Sequence, residues 1–453
     1  MGRPAQPGLR DMTVGSPAAH LFAFALPLLA GSFLQQLYNM VDSWVVGNYV
    51  GDTAQAAVGV GFPVIFLFSS LFMGLSSGGT VVIAQFYGAD RGDRVRDAVD
   101  TIYTAFLAAA IPITLIAVAL VKPLLWIMQI DPAAYHEAFL YLTVLSAGLV
   151  GTIGYNLNAG ILGGLGNSRS TLLFLVLSSL LNIILDLLFV LVFRLGVLGT
   201  ALATVIAQAV SWLFGLFYIN RRYPQIAIRP FCRRFDGTLF RQIMGIGLPA
   251  GIQMSLIAIG SMAVMSKVNT FGKEFTAAYH ISSRLDQMAF LPIQSLSTAV
   301  TSYVGQNTGA HRMDRVRQGI RVTVAASLLW SAFTLVLIPL GPTLVGCFSQ
   351  TPAVIASGAN YLLCVMPFYL LFSVMFSLNN AMRGAGASLF PMVNVVLSLI
   401  LVRVPMVYFL ADHFGPETMY FGIGIGWVVG FLLSVGYYFS GRWKRYSVVS
   451  DAG

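Results

Sequence analysis

The chain has 453 residues, 57% hydrophobic and only 9% charged, with a mean hydropathy of +0.79 and a formal net charge of +9. A soluble domain carries roughly 25% charged side chains to solvate its surface, so a soluble globular protein, a disordered chain and a nucleic-acid-binding protein are all excluded. The apolar stretches are continuous rather than alternating, which excludes an outer-membrane barrel and leaves an all-α membrane protein with many spans.

Residues 1–17 are polar and Pro-rich, which predicts a cytoplasmic N-terminus without a cleaved leader. A span needs about 20 mostly apolar residues. Along the chain twelve such segments are expected, at 18–47, 55–87, 98–121, 134–162, 170–193, 197–219, 240–270, 276–307, 316–346, 353–381, 388–411 and 418–440. The arginine-rich stretch 220–239 lies at the midpoint and reads as a cytoplasmic linker between a first six-helix lobe, 18–219, and a second, 240–441. Residues 442–453 form a cytoplasmic C-terminus. Lys and Arg crowd into the segments on the N-terminal side of the membrane. Only Lys122, Arg194 and Lys273 occupy the opposite loops, and Lys267, Arg284 and Arg403 fall inside spans. That asymmetry places both termini in the cytoplasm and explains the positive charge by contact with anionic lipid. Cys232, Cys347 and Cys364 are scattered and suggest neither a disulfide framework nor a metal site.

An internal repeat runs through the chain. GADRGDRVR at 88–96 recurs as GAHRMDRVR at 309–317, and Gln85 recurs at Gln306. The Leu-Pro pair ending at Pro27 recurs at Pro249, and GLGNS at 164–168 recurs as GAGAS at 384–388. Six helices per repeat is an even number, so both halves enter the membrane in the same sense, a parallel repeat with a pseudo-twofold axis along the membrane normal.

Ionisable groups inside a bilayer are expensive and need a reason. In the first span Gln35, Tyr38, Asn39 and Asp42 share one helical face, downstream of Pro27, which is expected to kink the helix. In the fifth, Ser178, Asn182 and Asp186 form a stripe. In the sixth, Thr200, Thr204, Gln208 and Ser211 form another. Two carboxylates brought close cannot both stay charged unless a cation lies between them, and otherwise one holds a proton. With Asn and Thr oxygens they make a hard-oxygen set suited to H⁺ or a small alkali cation, and the residue types do not distinguish the two. The second half carries Ser373, Ser377 and Asn380, and Asn394 with Ser398, without an acid in either stripe. Arg284, Asp286 and Arg403 are read there as structural pairs.

The segments QQLYNMVDSWVVGNYVG, LNIILDLLF and SRLDQMAFLPIQSL, with the repeated GAxRxDRVR loops, resemble the multidrug and toxic compound extrusion (MATE) family over residues 17–441. The resemblance implies two six-helix lobes forming a V around a central cleft. It implies export of cationic or amphipathic compounds driven by inward H⁺ or Na⁺ across the inner (plasma) membrane. No cofactor beyond the coupling ion is implied, and the chain is expected to act as a monomer with no nucleic-acid partner. Carried over residue by residue, Asp42, Asn182, Asp186 and Thr204 match a first-lobe cation site, with Na⁺ a candidate ligand of the two acids. Its fourth-helix Asn is Asn156 or Asn158. Pro27, Gln35, Tyr38 and Tyr141 match positions around the same cavity, and Asn39 shares their face. The acids that other members carry in the seventh and tenth helices are absent from 240–270 and 353–381, so no second-lobe cation site is expected. Two other readings are a flippase for lipids or lipid-linked sugars, which would want a cationic cleft, and a membrane-embedded enzyme. The enzyme lacks support, because His280 is the one His well inside a span and no nucleophile–base pair appears.

Overall fold

In a bilayer every backbone N–H and C=O must be satisfied within its own segment, so apolar runs of this length fold as helices. The computed structural model describes residues 8–127, 130, 132–229 and 234–449. Arg3, Cys232, Arg233 and the ends of the two predicted termini lie outside the described residues. The helices are α1 (Pro17–Tyr49), α2 (Asp52–Gly88), α3 (Gly92–Ile127), α4 (Pro132–Ala147), α5 (Leu149–Gly164), α6 (Ser168–Leu187), α7 (Val197–Arg222) and α8 (Gly237–Asn269). They continue as α9 (Lys273–Gly309), α10 (Met313–Thr334), α11 (Leu337–Gly346), α12 (Pro352–Val365), α13 (Tyr369–Gly384), α14 (Leu389–Val395), α15 (Val404–Phe414) and α16 (Met419–Ser440).

Each of the twelve expected spans is covered by helix. Among the described residues, eight helical stretches are long and apolar enough to cross a membrane on their own. The count is ten if the bent pairs α4–α5 (47°) and α10–α11 (55°) are each one span. The two segments outside that count are α2 and α9, each 37 residues long. α1 runs as one helix through Pro27, and α8 through Pro249.

Two compact units emerge. The first holds the described residues up to Asp11 and Leu26–Gly251; the second holds Met12–Ala25 and the described residues from Ile252 onward. The divisions do not fall in the linker alone. α1 and α8 are each split between units, within two residues of Pro27 and Pro249.

In the first unit α2 packs on α4 and α5, and α6 on α7. The opening half of α8 crosses α2 at backbone distance: a Cβ on Gly74 would lie 2.3 Å from Gly251 N, and one on Gly78 would lie 2.3 Å from Ile243 O. Gly74, Gly78, Gly247 and Gly251 thus form small-residue pairs four apart on both helices, the pattern that lets helices approach closely in lipid. In the second unit the core is aromatic, with Phe275, Tyr279, Tyr361, Tyr369, Tyr420 and Trp427 packed together.

The repeat is visible in the backbone. Asp90 and His311, at matching positions, both adopt left-handed φ, 60° and 55°. The same bonds close both turns: Ala89 N to Gln85 O (2.9 Å) and Arg91 N to Phe86 O (3.0 Å), against Ala310 N to Gln306 O (3.0 Å) and Arg312 N to Asn307 O (2.8 Å). Each turn begins a helix whose arginine grips a leading segment. Arg94 Nη1 donates to Asp236 Oδ2 (2.9 Å), just ahead of α8, within the first unit. Arg315 Nη1 donates to Gly15 O (2.8 Å), just ahead of α1, within the second unit.

Candidate functional site

Three helices of the first unit bring their polar stripes together. α6 starts at Asn167, whose side chain accepts from Ser170 N (3.0 Å) and satisfies one of the helix's free amides. From that start the four-residue spacing sets Ser178, Asn182 and Asp186 on one inward face, 3%, 2% and 0% exposed. Directly after Asp186 the helix widens into a π-helical stretch, Leu188–Val192. α7 presents Thr200, Thr204 and Gln208 to that face, and α1 presents Tyr38 and Asp42.

The carboxyls of Asp42 and Asp186 lie within hydrogen-bonding reach of each other. Two carboxylates hold that geometry only with a shared proton or an intervening cation. With its amide oriented to suit its partners, Asn182 Nδ2 donates to Asp186 Oδ2 (2.9 Å). Its Oδ1 then accepts from Thr204 N (3.1 Å) and Thr204 Oγ1 (3.2 Å). Tyr38 and Thr204 are joined by a side-chain hydrogen bond, and Tyr141, 7% exposed, lies within electrostatic range of both carboxyls. Asp42 Oδ1, Asp186 Oδ1, Thr200 Oγ1 and Gln208 Oε1 are buried without a protein partner. Buried polar atoms are rarely left unpaired, and a shared proton or a cation would satisfy the two carboxyl oxygens.

A narrow pocket opens beside Asn182 and Thr204, lined also by Gln35, Tyr38, Ser178 and Gln208, among others; neither carboxyl is part of its lining. It has room for about one water or a bare ion.

The sequence stripes on α6 and α7 therefore converge as expected, with Asp42, Tyr38, Gln35 and Tyr141 around them. Other expected residues do not join. Asn39 lies on the exposed side of α1 and does not line the pocket. Asn158 accepts from Tyr103 OH and donates to Trp212 O (2.9 Å), tying α3, α5 and α7 together. Asn156 donates to Thr152 O (2.8 Å), and its carbonyl accepts from Ser76 Oγ (2.6 Å). Neither of the two makes a hydrogen bond to the carboxyls among the described residues. Sequence reasoning missed Ser179, Leu175 and Ala207, which line the pocket beside the polar stripe; adjacency to Ser178 and small size were their only signals.

In the second unit Asp286 is not paired with Arg284, which is exposed. Tyr369 OH donates to Asp286 Oδ1 (2.5 Å) instead, and lies 3.0 Å from the Asp286 carbonyl oxygen.

Comparison with known proteins identifies the family and the fold. A family model described as MatE matches residues 27–188 and 249–409. The chain is 29% identical over 442 residues to the probable multidrug resistance protein YpnP of Bacillus subtilis (strain 168), covering 97% of this chain and 99% of that protein. It is 23% identical to the multidrug export protein MepA of Staphylococcus haemolyticus, covering 86% of each. Among solved structures, a MATE transporter in the bent conformation superposes with a TM-score of 0.89 at 22% identity, covering 97% of each chain. A MOP superfamily transporter from Pyrococcus furiosus, whose reverse polarity of binding pocket suggests a different function, superposes with a TM-score of 0.90 at 23% identity, covering 98% and 100%.

Proposed function

The chain belongs to the MatE family, and from that premise we propose that it is a secondary antiporter exporting cationic or amphipathic drugs and toxic compounds in exchange for inward H⁺ or Na⁺. It is a multi-pass membrane transporter and not an enzyme. Bacterial relatives named as multidrug resistance and export proteins support the substrate class. We place it in the plasma membrane, acting as a monomer with both termini in the cytoplasm.

The observation that carries the reading is the Asp42–Asp186 pair. Its fold is shared with a transporter of reverse pocket polarity, so the fold alone does not select substrate charge. The acids do. A proton or Na⁺ taken up on the outer side removes one of the pair's two negative charges, and its release on the inner side restores that charge, which attracts an organic cation. Ion and substrate then compete for one negative charge, and that competition is the requirement for exchange. Asn182 and Thr204 position the Asp186 carboxyl, and Tyr38 and Gln35 line the route beside it.

Reconstituted in vesicles, the protein should accumulate ethidium under either a pH gradient or a Na⁺ gradient, without ATP. Asp42→Asn should abolish that uptake while leaving the protein folded in the membrane. Wild-type uptake by the variant would remove Asp42 from the mechanism. Failure of both gradients with the wild type, or a need for ATP, would refute antiport and favour a lipid flippase.

A further inference from the structure

The second unit contains a buried cation with no counter-charge. Arg383, in the last turn of α13, is 7% exposed. Its Nη2 donates to Gln253 Oε1 on α8, and its Nη1 to Asn380 Oδ1 (3.3 Å). Both acceptors are neutral amides. Its Nε is buried and unpartnered, and among the described residues no carboxylate lies within ion-pair distance. In the sequence this arginine lies just past the expected span 353–381; the structure buries it in the last turn of α13.

The repeat supplies an internal control for a purely structural role. The turn after α13 is closed by Ala385 N to Ala381 O (3.1 Å), Gly386 N to Arg383 O (2.8 Å) and Ala387 N to Met382 O (3.0 Å). The matching turn after α5 is closed by the same three bonds: Leu165 N to Ile161 O (3.2 Å), Gly166 N to Gly163 O (3.1 Å) and Asn167 N to Leu162 O (2.8 Å). There Arg383 is replaced by Gly163, and Gln253 by Gly31. The same cap forms without either side chain, so neither is needed to end the helix. An arginine at a helix C-terminus gains a little from the helix dipole, yet that does not offset burying a full charge unpaired.

We infer that Arg383 and Gln253 form an oxyanion-binding site in the second unit, taking the phosphate or carboxylate group of a ligand. Arg383 Nε–H is one donor. Gln253 Nε2, which makes no hydrogen bond among the described residues, is the second. Gln253, Arg383 and Asn380 retain 5%, 7% and 8% of their surface, a narrow opening beside the shielded Nε. The bound anion supplies the missing charge. Its chemistry fits a lipid headgroup phosphate and a free oxyanion alike.

The test uses the purified full chain in neutral detergent, with phosphatidylglycerol, inorganic phosphate, and diacylglycerol as a phosphate-free control. Thermal unfolding should shift upward with at least one of the two anions and not with diacylglycerol. Arg383→Gln should weaken the apparent affinity by about tenfold or more, the scale of hydrogen bonds to a charged group. A response to phosphatidylglycerol alone assigns the site to lipid; a response to phosphate assigns it to a free anion. Gln253→Glu sets a carboxylate against Arg383, and should raise the melting midpoint without ligand and abolish the response to both anions. The inference is overturned if the wild type responds to neither anion, or if Arg383→Gln or Gln253→Glu responds as the wild type does.

Discussion

At the scale of single residues, Thr204 is the most connected hydroxyl in the first-unit site. It meets Asn182, Tyr38 and the Thr200 carbonyl (3.1 Å). Thr204→Val keeps the shape and removes the hydroxyl, leaving buried partners unsatisfied at about 1–3 kcal/mol. The melting midpoint should fall, and Thr204→Ser should restore most of it. Asp186→Asn keeps the shape and removes the charge. Ion–substrate coupling in transporters and allosteric proteins is worth roughly 5–150-fold, and a loss of that order is expected in ethidium competition by H⁺ or Na⁺. A binding assay in which the two ligands still compete at wild-type strength would contradict the assignment. Much of this site was legible in the sequence, because i, i+4 spacing on α6 and α7 declares a face regardless of tertiary structure. The choice between Asn156 and Asn158 was not, since only packing reveals that Asn158 is tied to Tyr103 and Trp212 on other helices while the Asn156 side chain turns back to Thr152 of its own. The burial of Arg383 was not legible for the same reason: its partner Gln253 lies 130 residues away.

At the scale of elements, the twelve expected spans fall on helix among the described residues, but hydropathy does not say where helices bend, widen or touch. The α2–α8 crossing depends on glycines whose partners the sequence does not name. Gly74→Ala places a methyl 2.3 Å from backbone, which the two helices must separate to accept. Overpacking of this kind costs roughly 1–3 kcal/mol, and yield and melting midpoint should both drop. Gly245→Ala, whose Cβ would meet nothing within 4 Å, is the matched control and should be neutral. The start of α8 is fastened separately. Asp236 Oδ1 accepts from Thr238 N (2.8 Å) and Leu239 N (3.1 Å). The Leu239 amide, then the Thr238 amide and Arg94, hold the Asp236 carboxyl below its ordinary value. A carboxyl held low stabilises above its unfolded value, near pH 4, and loses that contribution as the pH falls through the folded value. Asp236→Ala should therefore cost about 1 kcal/mol at neutral pH, and the difference from wild type should close in acid. A gap that persists unchanged at low pH would rule out the capping role.

At the scale of the whole molecule, the repeat was legible as matched motifs, and the structure repeats even the strained turn at Asp90 and His311. The exchange of leading segments was not legible. Nothing in a span-by-span reading says that the residues ahead of α1 belong with α9 and α10. Arg315 is the fastening point, donating through Nη2 to Met12 O (3.0 Å) and through Nη1 to Gly15 O (2.8 Å). Arg315→Ala should speed hydrogen exchange at the Met12 amide by roughly tenfold or more, given the strength of bonds to a charged donor. Unchanged protection would show that the segment is held elsewhere.

That fastening also sets a timetable for biogenesis. The Met12 amide bonds to Gln306 Oε1 (2.9 Å), 294 residues downstream. At a synthesis rate of about 5–20 residues per second, Met12 waits roughly 15–60 s for its partner to be made. Throughout that interval the opening half of α1 has no native neighbour from the second unit. A nascent chain arrested before Gln306 should expose residues 12–15 to protease, and one arrested past Arg315 with its tether fully emerged should shield them. α1 is thus inserted long before its packing can be finished.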